Sequence, residues 1–107
     1  MPTYVIRLSH PPDQCPSSNS KVRELIQKGA PELPKVAERL GVKIVAGPFV
    51  LGSEHDGVAV VEADRVEMVN DFLLESGMAQ WNSLRVSMAQ PIQEALADLS
   101  KAPPPLY

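Results

Sequence analysis

A glycine-bounded turn, Gly52-Ser53-Glu54-His55-Asp56-Gly57, separates two apolar runs and constrains the fold more than any other feature of this chain. The runs, Val42–Leu51 and Val58–Ala63, have the length and composition of β-strands. A short polar segment with glycine at both ends is typical of a connection between antiparallel strands. The turn therefore predicts a central hairpin, and it carries His55, one of only two histidines.

The residues before this hairpin predict a strand and a helix. Thr3–His10 alternates between two faces, as a β-strand does. Apolar residues from Val22 to Leu40 then follow helical spacing, and Asn19 or Ser20 is the expected N-cap. Gly29-Ala30-Pro31 must kink or split this helix, because proline lacks the backbone donor and clashes with the preceding turn.

The residues after the hairpin predict a second helix, a fourth strand and a last helix. Asp64 and Glu67 have the spacing of a capping box for the second helix, which Gly77 ends. Leu84–Ala89 predicts the fourth strand, and Pro91–Ser100 predicts a short C-terminal helix.

The predicted order is strand, helix, strand, strand, helix, strand, followed by the extra helix. Two right-handed split βαβ units of this kind give an α+β, ferredoxin-like βαββαβ antiparallel sheet with its helices on one face. We expect a single domain over residues 1–101 and an extended, proline-rich tail over residues 102–107.

The opposite face of the predicted sheet has no helix to cover it. Such an apolar face is usually buried against another copy, so we expect a homodimer of the α+β barrel type, or a higher homo-oligomer. The residues expected on this open face are Thr3, Val5, Arg7, Ser9, Val58, Val60 and Glu62.

Composition limits the classes of function. The chain has 107 residues, a net charge of -3 and scattered basic residues, which argues against nucleic acid as a partner. Its apolar runs are shorter than the ~20 residues that span a bilayer, so we expect no membrane partner. The single cysteine cannot form an internal disulfide, which favours a reducing, cytoplasmic location.

Short motifs add a family resemblance. Met1-Pro-Thr-Tyr-Val5, Gly41, Gly52…His55-Asp56 and Val60-Val61-Glu62-Ala63 resemble the GYD-domain family of dimeric α+β barrel proteins, over roughly Met1 to Ala89. That family typically has Gly-x-Tyr-Asp in the hairpin and a Val-Glu-Ala-Pro-Asp-like end to the third strand. Here His55 stands at the tyrosine position and the proline is absent. The resemblance implies the fold and a dimeric habit, whereas the family supplies no defined activity.

The side chains that could bind a metal or take part in catalysis lie together at one pole of the predicted fold. The end of the first strand and the tip of the hairpin meet there, which brings together His10, Cys15 and His55 as candidate ligands for a copper or zinc ion. The same pole predicts a small-molecule site. Its expected ligand-binding residues are His10, Asp13, His55, Asp56 and Trp81, with His10 and His55 as candidate catalytic residues.

Several interpretations remain open from the residues alone. The first is a small homo-oligomeric protein that binds a small molecule or a transition metal at this pole. The second is a cofactor-independent isomerase, tautomerase or monooxygenase of the dimeric barrel type, with Pro2 as the base in the tautomerase case. The third is an interaction protein that docks through its C-terminal tail. A purely structural role for His10, Cys15 and His55 competes with all three.

Overall fold

The computed structural model describes residues 1–106, apart from the side chain of Ser53. Short 3-10 turns lie in four connections, at Pro12–Gln14, Ala30–Glu32, Gly52–Glu54 and Met78–Gln80. Tyr107, the last residue of the predicted tail, lies outside the described residues. The elements follow in the order β1 (Thr3–Ser9), α1 (Ser20–Gly29), α2 (Leu33–Arg39), β2 (Lys43–Val50), β3 (Asp56–Glu62), α3 (Val66–Glu75), β4 (Ser83–Ala89) and α4 (Ile92–Leu99).

The four strands form one antiparallel sheet in the order β2-β3-β1-β4, which confirms the predicted ferredoxin-like α+β fold. β1 and β3 are the central strands, and their register runs from Thr3↔Glu62 to Ser9↔Asp56. β4 pairs with the other side of β1, from Thr3↔Ala89 to Ser9↔Ser83. The end of β1 therefore lies between the start of β3 and the start of β4.

One face of the sheet packs against α2 and α3. Because side chains alternate across a strand, every second residue of β1 and β3 enters this core. Burying a large apolar side chain contributes roughly 1.5–3 kcal/mol, so this layer is the main source of stability. The buried core residues are Tyr4, Ile6, Leu8, Ala37, Val42, Ala59, Val61, Ala63, Val69, Phe72, Leu73 and Met78.

The first helical segment is split, as its proline requires. α1 ends at Gly29, a 3-10 turn covers Ala30–Glu32, and α2 begins at Leu33. Asn19 is the N-cap of α1, since its side-chain oxygen accepts from the backbone N–H groups of Lys21 and Val22. The sequence prediction of a cap at Asn19 or Ser20 is thereby resolved in favour of Asn19.

β2 pairs irregularly with β3. Its register with β3 shifts between Ile44 and Ala46, and again between Ala46 and Phe49. Gly47 lies in the second shift with a φ of 80°, and a Cβ there would come within 2.7 Å of the Val58 carbonyl oxygen. Glycine is therefore required for this bulge, both by backbone conformation and by close approach.

The capping box predicted for the second helix is wrong. α3 begins at Val66, so Arg65 occupies the N-cap and makes no side-chain capping hydrogen bond. Asp64 lies one residue too early to cap the first turn, because the chain leaving β3 turns into the helix later than the motif implies.

No helix within residues 1–106 combines the length and the apolar character needed to cross a bilayer.

Phe72 provides a test of the core. It is 1% exposed and lies on the same helix as Leu74, which is 65% exposed. We expect Phe72→Ala to lower the free energy of unfolding by about 3–5 kcal/mol, because it removes a ring and leaves a cavity. Leu74→Ala, the matched control, should cost about 0.5 kcal/mol or less. Urea denaturation measures both, and equal losses would contradict this packing.

Candidate functional site

The two histidines meet where the hairpin turns beside the end of β1. His10 directly follows β1, and its backbone N–H donates to the His55 carbonyl at 3.0 Å. The imidazole rings are 5.4 Å apart between centroids and are nearly perpendicular, at 77°. The β1–β3 register therefore holds both rings in one place without any direct bond between their side chains.

His55 has an unusual backbone. Its φ of 57° and ψ of 32° place it in the left-handed region, where side chains other than glycine are uncommon. Within residues 1–106 it is the one non-glycine residue with a positive φ. Such conformations cost free energy and cluster at functional sites, so the imidazole at this position calls for an explanation.

Asn82 orients the His10 ring. The Asn82 side-chain Nδ2 donates to the Met78 carbonyl at 3.1 Å, which leaves Oδ1 facing His10 Nδ1 at 3.3 Å. Since an amide oxygen only accepts, His10 Nδ1 must carry the proton. Trp81 packs against the same ring, with centroids 5.1 Å apart.

The other ring nitrogen of His10 has no partner. Nε2 is buried, and no described residue makes a hydrogen bond with it. A buried polar atom without a partner is costly and rare, and it often marks the place of a missing ion or ligand. With Nδ1 already occupied, Nε2 is the atom that can offer a lone pair or share a proton.

Cys15 reaches the two histidines from the proline-rich loop after β1. Two hydrogen bonds from Arg23 of α1 hold this loop, one to the Pro16 carbonyl at 2.8 Å and one to the Ser17 carbonyl at 2.9 Å. The Asn19 side chain also donates to the Asp13 carbonyl at 3.0 Å. Cys15 is half-buried and is therefore presented by an anchored segment.

The surroundings of Cys15 favour the thiolate. The Ser17 hydroxyl lies 3.0 Å from Sγ and donates to the ionised sulfur. This side-chain hydrogen bond is the largest cause, ahead of the hydrogen bond from the Ser17 backbone N–H, by which the pKa of Cys15 is lowered from 9.0 to about 6 against an opposing effect of burial. A thiolate at neutral pH is both a metal ligand and a nucleophile.

The ligand atoms of His10, Cys15 and His55 all lie within 4.8 Å of one another. Around a zinc ion, bond lengths near 2.3 Å to sulfur and 2.0–2.1 Å to nitrogen place such atoms roughly 3.6 Å apart. The three groups are thus within about 1 Å of coordination distance. Cys15 and His55 both lie outside regular secondary structure, so small shifts of their loops can close the gap.

An apolar cavity of about 840 Å³ opens beside this cluster. Leu25 and Ile26 of α1, Leu33 of α2, Leu8 of β1 and Met78 form much of its wall. The cluster, together with Ser17 and Asn82, supplies polar groups at one part of the wall. The volume lies within the 300–1,000 Å³ typical of small-molecule sites.

The remaining predicted site residues divide into two groups. Trp81 lines the cavity beside His10 and His55, and Asp56 borders it, although the pairing of Asp56 with Ser9 places the Asp56 side chain on the open face of the sheet. Asp13 is exposed and does not line the cavity, although its backbone carbonyl anchors Asn19. The proline-rich loop turns Asp13 outward and Cys15 inward, which a linear sequence does not reveal.

Two contributing residues escaped the sequence prediction. Ser17 follows Cys15 by two residues, and a hydroxyl in that turn is an available signal for a stabilised thiolate. Asn82 immediately precedes β4, whose first residue pairs with Ser9. That register places Asn82 next to His10, so correct strand pairing would have indicated it.

Comparison with known proteins adds no family assignment: no protein-family model matches this chain, and no curated protein matches it either. The resemblance to the GYD-domain family therefore stays a prediction from short motifs.

The thiolate at Cys15 can be tested by titration. The absorbance at 240 nm should rise with a midpoint near pH 6. Ser17→Ala should move this midpoint upward, because the largest stabilising hydrogen bond is lost. Ser18→Ala is the matched control, since the Ser18 hydroxyl donates to the Pro12 carbonyl and not to the sulfur.

The same shift predicts the direction of a stability change. The folded pKa is lower than the unfolded one, so the thiolate's contribution is fully present above pH 9 and is lost as the pH falls to about 6. In the absorbance titration, a wild-type midpoint near pH 9 would contradict the assigned environment of Cys15. Equal shifts of this midpoint in Ser17→Ala and Ser18→Ala would also contradict it.

Proposed function

We propose that this protein binds one zinc or copper ion through His10, Cys15 and His55. The observation that supports it most is the convergence of a favoured thiolate and two imidazoles within 4.8 Å. Thiolate and imidazole are ligands that zinc and copper prefer over magnesium or calcium. Three protein ligands also leave one coordination position free, as in catalytic zinc sites.

The surroundings of His10 support the same proposal. A metal-binding histidine usually donates its other N–H to a second group, which orients the ring and sets its tautomer. Asn82 makes this contact with Nδ1, and the buried Nε2 lacks any other partner. A metal ion at Nε2 would remove that desolvation cost, because the lone pair would coordinate the ion.

The strained backbone of His55 fits a functional demand at this position. Glycine would adopt a φ of 57° without strain, yet the chain has an imidazole there. His55→Gly removes the metal-binding imidazole and also relieves the strain of the left-handed backbone. This variant therefore tests metal binding separately from folding.

Metal binding should therefore depend on each of the three ligands. After equilibrium dialysis against zinc or copper, elemental analysis should find about one ion per chain, and Cys15→Ser, His10→Gln and His55→Gly should each lose it. Asp13→Asn, at the same pole but outside the cluster, is the matched control and should keep the ion. Binding should also weaken below about pH 6, where protons compete for Cys15.

A metal content in wild type no higher than in Cys15→Ser would contradict this proposal. Urea unfolding of metal-free His55→Gly checks that loss of metal does not reflect loss of fold.

The predicted reducing, cytoplasmic location agrees with this proposal, because a single thiol must stay unoxidised to bind metal. A small-molecule role at the same pole remains compatible, since the cavity adjoins the cluster. For the enzyme alternative, Pro2 precedes β1 and His10 follows it, so chemistry at Pro2 would need a separate site.

We also propose that a second copy of the chain covers the open face of the sheet. Val45 and Phe49 of β2 are 51% and 55% exposed, although both are large and apolar. Arg7 and Arg85 are register partners, and among the described ion pairs Glu62 contacts Lys43 instead of either arginine. Neither arginine therefore has an acidic partner among the described ion pairs of one chain, and a second copy could supply one.

The C-terminal helix adds apolar surface. α4 has no buried residue, and Ile92, Leu96 and Leu99 are 64, 57 and 64% exposed on one stripe. The radius of gyration, 16.5 Å, exceeds the roughly 13 Å of a compact domain of this length. The apolar stripe of α4 is uncovered within one chain. The third interpretation, docking through the C-terminal tail, involves the exposed residues 102–106. Truncation after Lys101 tests whether formation of the dimer needs these residues.

Sedimentation velocity tests the dimer. Wild type should sediment as a dimer at micromolar concentration, and Phe49→Glu should shift it to monomer, because a charge in an apolar interface is costly. Leu74→Glu, on the helix-covered side and 65% exposed, is the matched control and should stay dimeric. Monomeric wild type would contradict the proposal.

A further inference from the structure

α1 leaves part of its apolar stripe facing the cavity. An amphipathic helix packs its apolar stripe into the core, yet α1 buries only Val22. Leu25 and Ile26, on the same stripe, are half-buried and line the cavity. This apolar space has a volume of about 840 Å³ and is partly open to solvent, so it is a cleft that a ligand can enter. Water molecules in this space are poorly stabilised, because most of the wall offers them no hydrogen bond.

The charges around the cavity select the head group of a ligand. The lining residues of the described chain include no lysine or arginine, and Asp56 is their one carboxylate. The register pairs Asp56 with Ser9, whose side chain belongs to the open face and not to the cavity side. A divalent ion held by one thiolate and two neutral imidazoles retains a net charge of about +1. A single negative head group on the ligand would neutralise it, as burial in an apolar space demands.

We propose that the cavity binds a monoanionic, predominantly apolar small molecule whose carboxylate completes the coordination of the metal. This inference rests on the proposed metal site. The apolar body of the ligand lies against Leu25, Ile26 and Leu33, and its head group takes the free fourth position beside His10, Cys15 and His55. Both ends of the ligand contribute to selectivity, because the metal binds its carboxylate and the cavity binds its apolar body.

Cobalt-loaded protein distinguishes the two parts of this model. Co²⁺ takes the place of zinc, and its visible d–d bands report a change of ligands at the metal. Titration with 4-phenylbutyrate should change these bands with a dissociation constant at least about tenfold lower than that of acetate, which has the same head group without the apolar body.

Two matched variants locate the body of the ligand. Leu25→Gln should bring the affinity for 4-phenylbutyrate close to that for acetate, while the cobalt bands of the unliganded protein stay unchanged. Leu74→Gln changes an exposed leucine of α3 outside this cavity and should retain the tenfold preference. The expected pattern is therefore a loss of preference in one leucine variant only.

Different results would contradict the metal site and the ligand proposal. If cobalt bands never form, the metal site is overturned, and with it the coordination step. If the bands form but 4-phenylbutyrate binds no better than acetate, or binds Leu25→Gln as tightly as wild type, the ligand proposal is overturned while the metal site stands.

Discussion

The antiparallel pairing of β1 with β3 is the interaction on which the site depends. Its register ends at Ser9↔Asp56, and the next hydrogen bond joins the His10 N–H to the His55 carbonyl. A shift by one residue would invert every side chain of β1 relative to the core. Because Tyr4, Ile6 and Leu8 are buried on one face, that shift is prohibitively costly. The hydrophobic core thus sets the position of His10 with the same precision as its own packing.

Three features of the site are energetically unfavourable in the absence of a ligand. His55 adopts a left-handed backbone, His10 Nε2 is buried without a partner, and α1 leaves part of its apolar stripe facing a cavity. Each of these features lowers the stability of the unliganded protein, and each would be relieved or used by a bound ion and ligand. Their concentration at one pole is the main structural argument for function there.

Much of the fold was predictable because each element carries a local signal. Strand alternation, the glycine-bounded hairpin and the proline after α1 gave the element order and the βαββαβ topology. The predicted capping box failed because Asp64 fits the motif but lies one residue before the actual N-cap, Arg65. Of the predicted site residues, Asp13 lies outside the cavity, since the proline-rich loop directs it to solvent. Ser17 and Asn82 escaped prediction, because their importance comes from hydrogen bonds to groups that the fold brings near.

The sequence by itself determined the alternation of β1, the hairpin, the helix boundaries at glycine and proline, and the supply of two imidazoles and one thiol. These depend on local backbone preferences and on hydrophobic periodicity, which act over a few residues. Tertiary structure alone decided how closely the three ligand atoms approach, that Asn82 contacts Nδ1 of His10 and leaves Nε2 free, and that α1 leaves part of its apolar stripe facing a cavity. Those outcomes depend on distances between residues as far apart as 10 and 82, which only the packed sheet specifies.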